Sequence, residues 1–128
     1  MAIAEILVVD DDADIRDSLR LALELEGYAV ETASNGEEGW RSLRSDPLPA
    51  LVLLDLAMPV LDGAGLLALV RADPRLRQLP VLLITAFGSL AGGICTQADG
   101  CLHKPIDLDA LLAVVARHCR WRAAASVP

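Results

Sequence analysis

At 128 residues the chain has the length of one domain and can bury a core without staples. Hydrophobic residues at 54% and charged residues at 23% exclude a disordered chain, and no apolar run approaches the roughly 18 residues of a membrane helix. A formal net charge of −7 argues against nucleic acid as a direct partner, because phosphate binding needs a basic face.

The N-terminal MAIAEILVVDDD lacks the positive flank and cleavage site of a secretory signal, so a cytoplasmic location is expected. Ile6 to Val9 reads as the first strand, continuous in apolar residues as a strand covered on both faces should be. Asp12 or Asp14 caps a helix to about Glu26, with Ile15, Leu19, Ala22 and Leu23 on one face and Gly27 ending it. Tyr28 to Ala33 alternates and reads as an edge strand. Asn35 then opens a second helix through Trp40 and Leu43, stopped by Asp46-Pro47. Leu51 to Leu54 is the third strand, and a helix follows from about Ala64 to Ala72. Val81 to Ile84 is the fourth strand. The segment 88–96 (GSLAGGICT) stands where a fourth helix belongs, yet its three glycines make it a poor one. Gly100 to His103 is a short fifth strand. The final helix starts near Asp107, turns Leu111, Leu112 and Val115 inward, and is expected to fray after Cys119.

Strand before helix throughout, with right-handed crossovers, predicts an α/β doubly wound parallel sheet. For five strands the expected form is flavodoxin-like, (βα)5, in the order 2-1-3-4-5, with a shortened or irregular fourth helix. Its crevice lies at the carboxyl ends of strands 1 and 3. There the sequence places Asp10-Asp11-Asp12, Asp55, Thr85 and Lys104-Pro105 at successive strand ends. Clustered carboxylates repel, so one protonates or a cation binds. The donors are hard oxygens, which select Mg²⁺, with Mn²⁺ as a substitute. A divalent ion, an ammonium and a hydroxyl around a carboxylate suit phosphoryl chemistry, with the carboxylate as nucleophile and an acyl phosphate as product.

ILVVDDD at 6–12, LLDLAMPVLDG at 53–63, ITA at 84–86 and HKP at 103–105 together resemble the receiver domains of two-component response regulators, the chemotaxis regulators among them. The resemblance runs from about Glu5 to Cys119, and its four motifs stand in the family's order. It implies that Asp55 is the phosphoacceptor. It implies a metal site of Asp10, Asp11, Asp55 and the backbone carbonyl of Ala57, with Asp11 the direct ligand and Asp10 acting through water. Thr85 matches the switch hydroxyl and Lys104 the cation that holds a phosphoryl oxygen. Lys104-Pro105 matches a cis-peptide position that helps to aim the lysine.

Three features depart from the family. Cys101 stands where receivers usually carry Tyr or Phe, so an aromatic rotamer switch cannot operate. The stretch from Thr85 to Lys104 is about three residues shorter than in the family. Ala57 and Phe87 hold the positions that tune attack by water on the acyl phosphate, and neither orients a water, which predicts slow self-dephosphorylation. The resemblance further implies a histidine kinase or phosphotransfer protein as donor and a downstream protein met through the 88–119 face. Charge and hydropathy leave no part for direct nucleic-acid binding or membrane insertion, and the resemblance describes a self-phosphorylating phosphoacceptor rather than a turnover enzyme. The domain is expected over 1–122, with 123–128 a flexible tail or the start of a linker.

Plainer readings stand beside these. Asp10 to Asp12 can simply cap the first helix, and Asp62-Gly63 reads as a turn. His103 and His118 read as structural or surface residues, and Trp40 as helix packing. Cys95, Cys101 and Cys119, odd in number and without a C-x-x-C pair, read as small apolar fillers rather than a disulfide framework or zinc site. Two other functions remain open: a receiver-fold module that signals without phosphorylation, and a receiver cut from a longer regulator or hybrid kinase. An aspartate-nucleophile phosphatase of the haloacid-dehalogenase type ranks last, because Ala57 stands where that family needs a second acid.

Overall fold

A computed structural model describes residues 5–45, 48–55, 63–85 and 98–126, with 120–126 as backbone. Its strands are β1 (Glu5–Val9), β2 (Ala29–Ala33), β3 (Leu51–Asp55), β4 (Val81–Thr85) and β5 (Gly100–His103). They form one five-stranded sheet in the order β2-β1-β3-β4-β5, every pair parallel. The described helices are α1 (Ala13–Leu25), α2 (Gly36–Leu43), α3 (Gly63–Ala72) and α4 (Leu108–Ser126). The fold is the flavodoxin-like one expected. The irregular fourth helix expected over 88–96 falls outside the described residues.

Burial explains the continuous apolar strands. Successive residues of a strand face opposite sides of the sheet, and here both sides are core. Leu7, Val9, Val52, Leu54, Val81 and Leu83 face one side, where α2 and α3 contribute Leu43, Leu66, Leu67 and Val70. Ile6, Val8, Leu51, Leu53, Leu82 and Ile84 face the other, against Leu19 and Leu23 of α1 and Leu111, Val115 and Cys119 of α4. The edge strand β2 keeps its alternation, exposed at Ala29, Glu31's flanks half-buried, and closed only at Ala33.

Helix ends follow local chemistry. The Asp12 carboxylate caps α1 by accepting from the Asp14 and Ile15 amides, and Gly27 turns the chain at φ 96°, a conformation costly for a residue with a Cβ. Asn35 caps α2 by accepting from the Glu38 amide. Gly39 lets α2 approach β1: a Cβ there would lie 3.1 Å from Val9 and 3.2 Å from Leu66. The final helix continues to Ser126 rather than fraying after Cys119. Trp40 is half-buried against the α2–α3 core, with the Arg44 guanidinium 6.0 Å from its ring.

Candidate functional site

The registers bring the candidate residues together. Val9 pairs with Leu54, Asp55 with Ile84, and Thr85 with His103, so β1, β3, β4 and β5 end along one edge. Asp10 follows β1, Asp55 and Thr85 close their strands, and Lys104 follows β5. The chain leaves β5 with the Lys104 amide donating to the Thr85 carbonyl at 2.7 Å, and the Lys104–Pro105 peptide is cis as expected. A shallow apolar groove of about 380 Å³ lies beside Lys104, between Ile15 and Leu19 of α1 and the turn at Pro105 and Ile106.

The three consecutive aspartates divide the work. Asp12 is the cap, as the plainer reading had it. Asp10 is fully buried; its Oδ1 accepts from the Asp12 amide at 2.9 Å, while its backbone carbonyl accepts from Arg16 Nη1 at 2.8 Å. Asp11 is exposed. Carboxylate oxygens of Asp10, Asp11 and Asp55 lie within 4.8 Å of one another, and among the described residues they form a cluster able to hold a metal ion.

Electrostatics sharpen the picture. Burial pushes the Asp10 carboxyl above its ordinary value of 3.8, against the Asp12 amide and the Lys104 charge, which pull it down; Asp11 and Asp12 push it further up. Asp10 Oδ2 is buried with no hydrogen-bond partner among the described residues. A buried carboxylate oxygen in that state is costly, and a cation resolves the cost. The donor set is all oxygen, which fits Mg²⁺. Lys104 Nζ stands 3.5 Å from Asp55 Oδ1, the lysine side chain 29% exposed and the aspartate 4%. Thr85 is 1% exposed, and its hydroxyl shares a 2.8 Å hydrogen bond with His103 Nδ1.

That last contact was not read from the sequence, where His103 figured as a structural or surface residue. The available signal was positional: His103 and Thr85 both end neighbouring strands, and parallel pairing sets such residues side by side. Cys101 also needs correction. It is disulfide-bonded, whereas Cys119 is a buried thiol, so the apolar-filler reading holds for Cys119 and not for Cys101. An odd count without C-x-x-C speaks against a framework or zinc site, but not against a single bridge. Cys95, Ala57, Phe87 and Asp62 lie outside the described residues.

Comparison with known proteins identifies the family and the fold. The family model described as the response regulator receiver domain matches residues 6–116. The chain belongs to that family. It is 40% identical over 114 residues to Response regulator Rre1 of Synechocystis, covering 86% of this chain and 49% of that protein. It is 38% identical over 113 residues to the DNA-binding dual master transcriptional regulator RpaA of the same organism, covering 86% of this chain and 46% of that one. The chain thus spans about half the length of these two relatives. The structure of chemotaxis protein CheY4 of Vibrio cholerae matches with a TM-score of 0.81 at 31% identity, over 91% of this chain and 99% of that one. The receiver is a signalling domain of two-component systems, and among its described residues no helix is long and apolar enough to cross a membrane.

Proposed function

We propose that this receiver accepts a phosphoryl group on Asp55 from the phosphohistidine of a histidine kinase or phosphotransfer protein. The observation that carries the reading is the cluster itself: three carboxylates within 4.8 Å, one of them 3.5 Å from the only lysine in the chain. An Asp55 oxygen attacks phosphorus, the bond from phosphorus to the donor's imidazole nitrogen breaks, and that nitrogen keeps the electron pair. Asp10, Asp11, Asp55 and the Ala57 carbonyl would hold Mg²⁺, which supplies charge neutralisation for the transferring group. Lys104 holds a phosphoryl oxygen, and Thr85 donates its hydroxyl to another. A carboxylate nucleophile carries no proton to remove, so no histidine is needed as a base.

The acyl phosphate decays slowly in this reading, since Ala57 and Phe87 cannot position a water. The domain spans 1–122, acts in the cytoplasm, and is a phosphoacceptor without catalytic turnover. Its output is protein contact through the 88–119 face. DNA binding belongs to RpaA as a whole, and a net charge of −7 turns this chain away from phosphate backbones.

Intact mass after incubation with acetyl phosphate and Mg²⁺ tests the reading. One added phosphoryl group is expected, absent without metal and in Asp55→Asn. An unchanged wild-type mass with both acetyl phosphate and a phosphohistidine donor would sink it, and would favour a module that signals without phosphorylation.

A further inference from the structure

We infer that His103 is a positioning residue for Thr85, holding its hydroxyl proton in the resting state and releasing it when the phosphoryl site fills. The inference rests on the phosphoacceptor reading and names the device that reads out that same site. Thr85 is buried, and a buried hydroxyl proton needs an acceptor. Among the described residues the group placed to accept it is His103 Nδ1, at 2.8 Å, in the tautomer that leaves this nitrogen unprotonated. The tautomer that accepts there carries its proton on Nε2, on the side of a ring that is exposed.

A threonine hydroxyl has one proton to donate. A phosphoryl oxygen on Asp55 accepts only, and so does the unprotonated Nδ1. Two acceptors therefore compete for one donor, which makes the pair a two-state element whose balance the phosphoryl group shifts. Backbone geometry keeps the competitors close: Thr85 pairs with His103 across β4 and β5, one position beyond the Asp55–Ile84 pair, and the Lys104 amide is fixed on the Thr85 carbonyl. With Cys101 at the position of the usual aromatic, no Tyr or Phe ring on β5 can swing inward behind Thr85. The released group is instead an exposed imidazole at the end of the edge strand, next to Lys104. Filling the site thus changes the hydrogen-bonding capacity of a surface a partner can touch.

The experiment is a titration of the full chain with beryllofluoride and Mg²⁺, a non-covalent mimic of the phosphoryl group. Backbone amide NMR signals report occupancy, and long-range ¹H–¹⁵N spectra report the protonation and bonding of the His103 ring nitrogens. In the resting wild type, His103 Nδ1 is expected as an unprotonated acceptor, and its resonance shifts as the site saturates. His103→Ala removes the competing acceptor, so the mimic binds roughly 2- to 10-fold more tightly, the fold-change of one net hydrogen bond. His103→Asn, whose side-chain oxygen can stand near the place of Nδ1, returns the affinity toward wild type. A merely structural role would move neither the Nδ1 resonance nor the affinity in this direction. If the mimic saturates the wild type while Nδ1 stays unmoved, or His103→Ala binds it no more tightly, the inference is overturned and the phosphoacceptor reading stands. If the wild type takes no mimic at all, both fall.

Discussion

At the amino end of β4, Asp99 Oδ2 accepts from the Val81 amide at 2.8 Å and from Arg71 Nη2 at 3.0 Å. Arg71 Nη1 in turn donates to the carbonyls of Arg77 and Leu79, at 2.9 and 2.8 Å. At the carboxyl end of the same sheet, Asp10 is more deeply buried than Asp99, yet one of its oxygens has no hydrogen-bond partner among the described residues, and two other carboxylates stand beside it. One end spends its charge on closing the fold. The other sets three carboxylates against one lysine among the described residues and leaves a buried carboxylate oxygen without a hydrogen-bond partner there, at a cost to the resting protein.

The largest expected effect comes from completing the carboxyl end of the sheet. Mg²⁺ at 100 times its dissociation constant should stabilise the wild type by about 2.7 kcal/mol in urea unfolding. Asp11→Asn, at an exposed position, should lose most of that gain while changing metal-free stability by no more than about 0.5 kcal/mol. A wild-type midpoint indifferent to Mg²⁺ would erase the contrast between the two ends. Next comes the satisfied end: Asp99→Ala leaves the Val81 amide without its side-chain acceptor and should cost about 1–3 kcal/mol, with or without Mg²⁺.

Asp10→Asn has the opposite sign. It removes a buried charge but keeps an oxygen for the Asp12 amide, so the metal-free melting temperature should rise by about 2–4 °C while the Mg²⁺ response disappears. A fall instead would mean that attraction to Lys104 outweighs burial at this carboxylate.

The smallest effect lies at the start of α2, away from both ends. The Ser34 amide and hydroxyl, donating at 3.0 and 2.8 Å, hold the Glu38 carboxyl below its ordinary value of 4.5. A depressed carboxyl contributes stability above its unfolded value and loses it as pH falls through the folded one. The gap between wild type and Glu38→Gln should therefore be widest near neutrality and close as pH drops below about 4.5. A gap that stays constant with pH would separate the capping contact from the charge.

Much of this was legible from residue order. Apolar runs without alternation announced strands buried on both faces, and Asp12, Gly27 and Asn35 announced helix ends, because capping and turn chemistry act over a few neighbouring residues. Asp10, Asp11, Asp55, Thr85 and Lys104 could be gathered at one edge because a parallel sheet sends every strand's carboxyl end the same way. Residue order offered Asp12 as a cap but could not tell that Asp10 is buried and Asp11 exposed. That division depends on how deeply α1 seats against β1, a matter of packing and of a single residue's displacement along the chain. The disulfide at Cys101 escaped it because an odd cysteine count does not say which thiols pair, and the hold of His103 on Thr85 because pairing across strands is tertiary. The Thr85–His103 contact joins residues 18 apart in the chain, and the register of β4 against β5 is what brings them together.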